Sequence, residues 1–519
     1  VGTRGLRARG AGTAGATDVA IAVASRRATA LVAAMTALYA VAFSYLSVAR
    51  HRAFVTGRFD LGNMVQAVWS TAHGHLLETT DVTGREFSRL GAHVDPVLVL
   101  FTPLWWLWSS PEMLLVAQAV IVALGALPAY WLGRRWLGDE RLAAAGAAAY
   151  LLYPPLQYAT LFDFHPVTLA APLLLYCIWA AEEARWTLLA VFGALACLTQ
   201  EQVGLALVGL AVWLWARHPA RRRAAVIMAS AALAWVVVAL AVIMPHFAAK
   251  DGANPHLRRY EALGSGWGGI LHNLVTRPWE LVETVATPGR LAYVAALLVP
   301  LLLLPVLAPL LLVGAVPQVL INLLADTGPA QTIRFHYAAA LTPFLIAAAI
   351  MGLARLQRWR RPRALVRVLA RPGLSAAILV AALILSGIRL GPLPWGAVPL
   401  SAAESPHNAF LVTDHARALR RAVSLVPADA PVSASNSPGA HLSARRYIYL
   451  FPKIGRAEWI VVDKPSRALR TAEGRRTLKP QETVRRIGRL LNDPHWILLS
   501  EDDGVRVFRR AHAGGGALG

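Results

Sequence analysis

Long apolar runs, broken at short intervals by small polar clusters, occupy the chain from about residue 29 to residue 390. Crossing a hydrocarbon layer of about 30 Å takes roughly 20 apolar residues, fewer where flanking side chains snorkel or the helix sits inside a bundle. The pattern then predicts eleven spans, near 29–49, 112–133, 142–158, 167–181, 186–199, 202–216, 224–244, 291–306, 308–324, 338–354 and 374–390. The apolar stretch from Pro96 to Trp108 is shorter and carries Trp105, Trp106 and Trp108, which suits an interfacial or re-entrant segment. After Arg389 the pattern changes. Gly391, Pro392, Pro394 and Pro399 make a linker, and beyond it polar stretches alternate with short β-branched or aromatic runs. These runs predict strands at Pro431–Ser435, Tyr447–Phe451, Trp459–Asp463, Trp496–Ser500 and Val505–Arg509, and a helix near Gln481–Leu491. The expected fold class is an all-α polytopic membrane bundle of about eleven helices over 29–390, with a long first outer loop at 50–111, followed by an α/β domain over 391–519.

Composition agrees with a bilayer as solvent: 56% of the 519 residues are hydrophobic and 15% charged, and the mean hydropathy is +0.48. The 51 Lys and Arg outnumber the 29 Asp and Glu, an excess that suits nucleic acid, anionic lipid or cytoplasmic loops. Its distribution decides for loops. With a cytoplasmic N-terminus, Arg26 and Arg27, then Arg134, Arg135 and Arg141, Arg185, Arg217 with Arg221 to Arg223, and Arg355 through Arg371 all fall inside. This places the protein in the plasma membrane and excludes a nucleic-acid role. Residues 1–28 lack periodicity and read as a disordered cytoplasmic tail, and the first apolar run is too long for the core of a cleaved signal peptide. An odd number of spans puts the C-terminal domain outside the cytoplasm. Cys177 and Cys197 lie inside apolar runs and read as small buried hydrophobes.

Ionisable residues recur in successive outer turns. The first outer loop carries Asp60, His93 and Asp95; the next turn is Phe162-Asp163-Phe164-His165-Pro166; the third contains Glu201; a later one holds Arg334 and His336. Such residues at membrane depth are costly and mark functional cavities. Each acid also has a plainer reading, as the N-cap of a following helix. Asp60 opens a stretch with apolar residues at Leu61, Met64, Val65, Val68 and Trp69, the spacing of an amphipathic helix lying on the outer face. It can be that helix's cap, a general base above the bundle, or both. His93 with Asp95 and Asp163 with His165 are i, i+2 pairs followed by proline, a spacing that could bind a divalent cation or clamp a phosphate. No glycine-rich phosphate loop, zincin helix or serine-nucleophile motif is present in the sequence.

The segments Phe59-Asp60-Leu61-Gly62-Asn63-Met64-Val65-Gln66-Ala67-Val68-Trp69, Phe87 to Pro96, Phe162 to Pro166, Arg334-Phe335-His336-Tyr337 and Arg446 to Pro452 resemble an uncharacterised family of prokaryotic multi-pass proteins, the domain of unknown function 2079 family. The likeness runs from roughly Ala40 to Asp463. More distantly, the layout resembles the GT-C superfamily of membrane glycosyltransferases. That resemblance implies a sugar donor on a polyprenyl-phosphate carrier, a cell-envelope acceptor and a catalytic base in the first outer loop, where Asp60 stands. The loop has a single Asp in place of the adjacent acid pair common in that superfamily, which keeps Asp163 and Glu201 open as alternatives. Arg334 and His336, with His93, Asp95 or His165, would hold the donor. Two other classes stay open: a transporter or flippase of a lipid-linked or polar solute, and an assembly protein acting through its outer domain. Acids at the helix ends, with no evident repeat, favour the enzyme.

Overall fold

The structure, a computed structural model, describes residues 7–81, 83–248, 259–260, 263–264, 266–326, 328–358, 371–393, 407–463 and 480–511. It is mostly helical. Among the described residues four helical segments are long and apolar enough to cross a membrane: Val23–Arg52, Pro111–Leu137, Pro219–Phe247 and Pro372–Leu390. Shorter apolar helices include Pro166–Glu182, Trp186–Cys197, Val203–Arg217 and Pro288–Leu301. The first helix runs from Arg7 to Arg52.

Several expected spans are broken, and proline accounts for the breaks. Over 142–158, one helix, Glu140–Leu152, stops at Tyr153, and Pro154 and Pro155 open the next, Pro154–Leu161. Proline has no N–H to give to the preceding turn and serves best as the first residue of a new helix. The expected spans at 291–306 and 308–324 are divided further. Helix Pro288–Leu298 passes into a short 3-10 turn containing Pro300, Leu302 and Leu303 turn left-handed, and Pro305, Pro309 and Pro317 begin three more short helical pieces.

The large apolar core lies among these helices and the helix Thr342–Arg358, whose residues Thr342 to Ala354 are all buried. Glycine sets the close contacts. A side chain on Gly209 would meet the Cα of Gly314 at 2.5 Å, and one on Gly314 would run into the ring of Phe344. Small residues let helix backbones approach in this way. At Gly125 the ring of Tyr150 lies against the backbone, and its hydroxyl donates to the Val122 carbonyl at 2.9 Å.

Between the first two long helices runs the first loop, with a hairpin of β1 (Glu78–Thr80) and β2 (Glu86–Ser88). It contains the helix Asn63–Ala72, which the sequence predicted as amphipathic and lying on a surface. Its apolar face, Leu61, Met64, Val65 and Val68, is buried as expected, but so is Gln66 on the other side. The C-terminal sheet domain covers that polar face. Its strands β3 (Val432–Ala434), β4 (Ile448–Leu450), β5 (Trp459–Val462), β6 (Trp496–Asp502) and β7 (Val505–Arg510) lie within two residues of the predicted runs and form one sheet in the order β4-β3-β5-β7-β6. The β3, β4 and β5 strands are parallel, while β7 runs antiparallel to β5 and β6. Asp503 and Gly504, both at positive φ, make the tight β6–β7 turn. Side chains alternate along β5: Val461 faces a core with helix Asp414–Ser424, and Ile460 and Val462 face one with helix Pro480–Leu491. Phe54, from the first loop, is buried in the first of these cores.

The Gly209, Gly314 and Phe344 contact leaves no room for a larger side chain. Gly314→Val should destabilise the protein by about 2 kcal/mol in thermal unfolding, while Gly387→Ala, where a side chain would meet nothing, should change it by less than about 0.5 kcal/mol.

Candidate functional site

The loop that carries Asp60 leaves the first helix at Arg52 and enters a single π-helical turn, Arg58–Gly62, before the helix Asn63–Ala72. Its closing bond runs from the Gly62 N–H to the Gly57 carbonyl at 3.0 Å. A wide turn of this kind leaves backbone N–H groups that need acceptors, and such turns recur at functional sites. The acceptor is Asp163. Its Oδ2 takes the N–H of Gly57 at 2.9 Å and that of Leu61 at 3.3 Å. Asp163 thus caps backbone N–H groups, as the plainer reading of the sequence had it, but those of a distant segment and not of its own helix. It sits at a φ of 41°, a left-handed conformation unusual for a residue with a Cβ.

Asp60 lies in the middle of the π-turn, and no side-chain bond caps the helix that follows. Its carboxylate turns to His165, with Oδ1 3.3 Å from Nε2. The other ring nitrogen, Nδ1, stands 3.3 Å from the Phe162 carbonyl. The two are unequally exposed: the Asp60 side chain is 29% accessible and that of His165 only 8%. His336 stacks on the same ring, with centroids 3.7 Å apart, and Phe162 lies against both imidazoles, at 5.4 Å from His165 and 5.9 Å from His336. Burial first, and then the nearby His165, His93 and Arg259, push His336 well below the usual imidazole value. His336 is neutral, and its Nδ1 is buried without a hydrogen-bond partner. Burial and the neighbouring Asp60 raise Asp163 to about 6, against the Gly57 N–H, Arg50 and His165, which lower it.

Glu201 forms a second cluster with His93. Its Oε1 lies 3.0 Å from His93 Nδ1, and its Oε2 accepts the Val94 N–H at 2.9 Å. Burial acts to raise Glu201, but the His93 charge and these bonds outweigh it and hold the carboxyl at about 2. Asp95 turns away to Arg89, in a bidentate pair with Nε and Nη2 at 2.6–3.0 Å. The two members of each i, i+2 pair therefore do not share a partner. In each, the carboxylate and the ring go to different partners, and the acids are already engaged by an arginine, a histidine or backbone N–H groups. Among the described residues no group of three or more His, Cys, Asp or Glu side chains is arranged to hold a metal ion.

Asp60, Asp163, His165 and His336 thus meet in one cluster. His93 and Glu201 meet in another, close enough that the His93 and Arg89 charges act on His336. Arg334 lies exposed on the turn that carries His336. Sequence reasoning did not single out Arg89, Arg58 or Arg259 as site residues. Arg89 falls within a recognised segment, but its pairing with Asp95 depends on the fold of the loop. Arg259 lies far from the other residues in sequence, next to Tyr260, and acts on Tyr337, the neighbour of His336.

A family model described as Predicted membrane protein (DUF2079) matches residues 50–507. The chain belongs to this family. Every residue of both clusters falls within the matched range. No curated protein matches the chain. Among solved structures, the fold is similar to the crystal structure of ArnT from Cupriavidus metallidurans bound to undecaprenyl phosphate, with 13% identity, a TM-score of 0.45, and coverage of 90% of this chain and 98% of that one. It is also similar to the archaeal oligosaccharyltransferase AglB from Archaeoglobus fulgidus, in complex with an inhibitory peptide and a dolichol-phosphate, with 13% identity, a TM-score of 0.40, and coverage of 81% and 69%.

Two outcomes follow for this member of the family. Asp163, raised to about 6, contributes stability that is present below its unfolded value near 4 and is lost as pH rises through 6. Asp163→Asn keeps an acceptor for the turn without the charge, so between about pH 5 and pH 8 the variant should gain on wild type in thermal unfolding by on the order of 1 kcal/mol. His93→Leu strands the Glu201 carboxylate and should cost about 3–5 kcal/mol, a loss that Glu201→Gln in the same chain should partly restore.

Proposed function

We propose that the protein is a membrane glycosyltransferase that moves a sugar from a polyprenyl-phosphate carrier to a cell-envelope acceptor, with Asp60 as general base. The observation that carries this reading is the Asp60 carboxylate: it is partly open, paired with His165 and held on a braced turn at the foot of the first loop. A base must be reachable by the acceptor and rigidly aimed. Asp163 and Glu201, which the sequence offered as rival bases, are buried, and their oxygens hold backbone N–H groups and His93. Their role in this reading is to position the turn and the His93 segment.

The reaction has a balanced form. The acceptor hydroxyl oxygen attacks the anomeric carbon from the face opposite the phosphate and gives its proton to Asp60. The bond between that carbon and the phosphate oxygen breaks, and the electron pair leaves with the polyprenyl phosphate. Configuration at the anomeric carbon inverts. The developing phosphate charge needs cations or N–H donors. Arg334 is exposed on the His336 turn, and His336, being neutral, would serve as a hydrogen-bond donor and not as a charge. In this arrangement eleven apolar segments cross the plasma membrane, some as broken helices held inside the bundle. The N-terminus is cytoplasmic, and the loop site and the sheet domain face the other side. The carrier reaches the site from the hydrocarbon layer between helices.

Sugar transfer by the purified protein in lipid nanodiscs, offered a panel of polyprenyl-phosphate sugars, tests the reading. Asp60→Asn should reduce kcat by about 10²–10⁴-fold in a protein that stays folded. Absence of transfer from every donor, together with solute movement in proteoliposomes, would replace it with transport.

A further inference from the structure

We propose that the C-terminal sheet domain is a working part of this site, and that Asn436, in the short helix Asn436–His441 after β3, is a positioning residue holding the π-turn that presents Asp60. The inference rests on the reading of Asp60 as the base and extends the site to a part of the chain nearly 380 residues away.

The contact is built from both sides. Asn436 Oδ1 accepts the Phe59 N–H at 3.0 Å. With Gly57 and Leu61 bound to Asp163, three N–H groups of the turn and its approach have side-chain acceptors, and one comes from the sheet domain. Glycine on either side of the seam leaves room for side chains of the other. A side chain on Gly57 would lie 2.7 Å from Asn436 Nδ2, one on Gly62 would lie 2.5 Å from Ser443 Oγ, and one on Gly439 of the domain helix would lie 2.8 Å from Arg58 Cβ. The buried Arg58 fills the seam. Its guanidinium donates to Asn63 Oδ1; both Gln66 Oε1 and the Thr80 carbonyl accept from it at 2.9 Å, and the Ile448 carbonyl of β4 does so at 3.5 Å. Gln66 reaches the same strand region through the Arg446 carbonyl at 2.8 Å. Ser437 donates to the Phe54 carbonyl, and the His441 ring is sandwiched between His51 and Phe54 at 3.8 Å from each.

A side chain on a π-turn points where it does only while the extra residue stays in the turn. Reversion to an α-helical register would turn Asp60 about the helix axis by roughly 100°, away from His165. Asn436 opposes that reversion by accepting the N–H just before Asp60. Loss of the bond should therefore act on the chemical step more than on donor binding.

The test uses the full chain in lipid nanodiscs, with Asn436→Leu, which lacks the acceptor, and Asn436→Asp, which retains it. Hydrogen exchange is followed in the peptide covering residues 54–66, and sugar transfer is measured with the donor found for wild type. In Asn436→Leu, exchange at the Phe59–Gly62 amides should rise by about tenfold or more, and kcat should fall by about tenfold with the donor KM within about twofold. Asn436→Asp should restore the protection. Unchanged exchange in the Leu variant overturns the proposal, as does faster exchange with unchanged kcat in a protein whose Asp60→Asn form is inactive. If wild type transfers no sugar, the glycosyltransferase reading alone fails, and the exchange comparison still decides whether Asn436 holds the turn.

Discussion

The Asp163 carboxylate, sunk in the protein and committed to the N–H groups of Gly57 and Leu61, is the bond on which the site depends. Burying a carboxylate is costly unless its lone pairs are occupied. Here they are occupied by the turn that carries a second carboxylate. Asp163 thus fixes the backbone of Asp60. His165 stands beside the Asp60 carboxylate, and its position follows from the same short turn, Phe162 to Pro166. The stack of Phe162, His165 and His336 closes the cluster from the side of the last bundle helices.

The apolar pattern carried the architecture far because a bilayer imposes length and composition together. It located the four helical segments that are long and apolar enough to cross a membrane and the five strands of the C-terminal sheet. It was less able to place breaks. Tyr153, Leu302 and Leu303 sit inside apolar runs, and only the tertiary surroundings decide whether a proline there bends a helix or ends it. The helix Asn63–Ala72 shows the opposite limit. Its polar face read as a solvent face, but Gln66 is buried there because another domain supplies the carbonyls it needs.

The candidate residues were legible as a set and not as pairs. Asp60, Asp163, His165 and His336 could be selected because each is an ionisable residue in a turn between apolar runs. Their partners could not. Spacing suggested that Asp163 would work with His165 and His93 with Asp95, whereas each acid found its partner across the loop or across the bundle. Arg58 and Arg89 were visible only as basic residues of the first loop and Asn436 not at all, since their partners lie where separate segments come within hydrogen-bonding distance.

The separation between Phe59 and Asn436 has a consequence for biosynthesis. The first loop emerges well before the sheet domain, so the turn bearing Asp60 lacks its Asn436 contact until that later segment has been made. Until then Phe54 has no core to enter, Gln66 no β4 region to bond and the Phe59 N–H no Asn436. A truncated product, however well its helices insert, would carry an unfinished site.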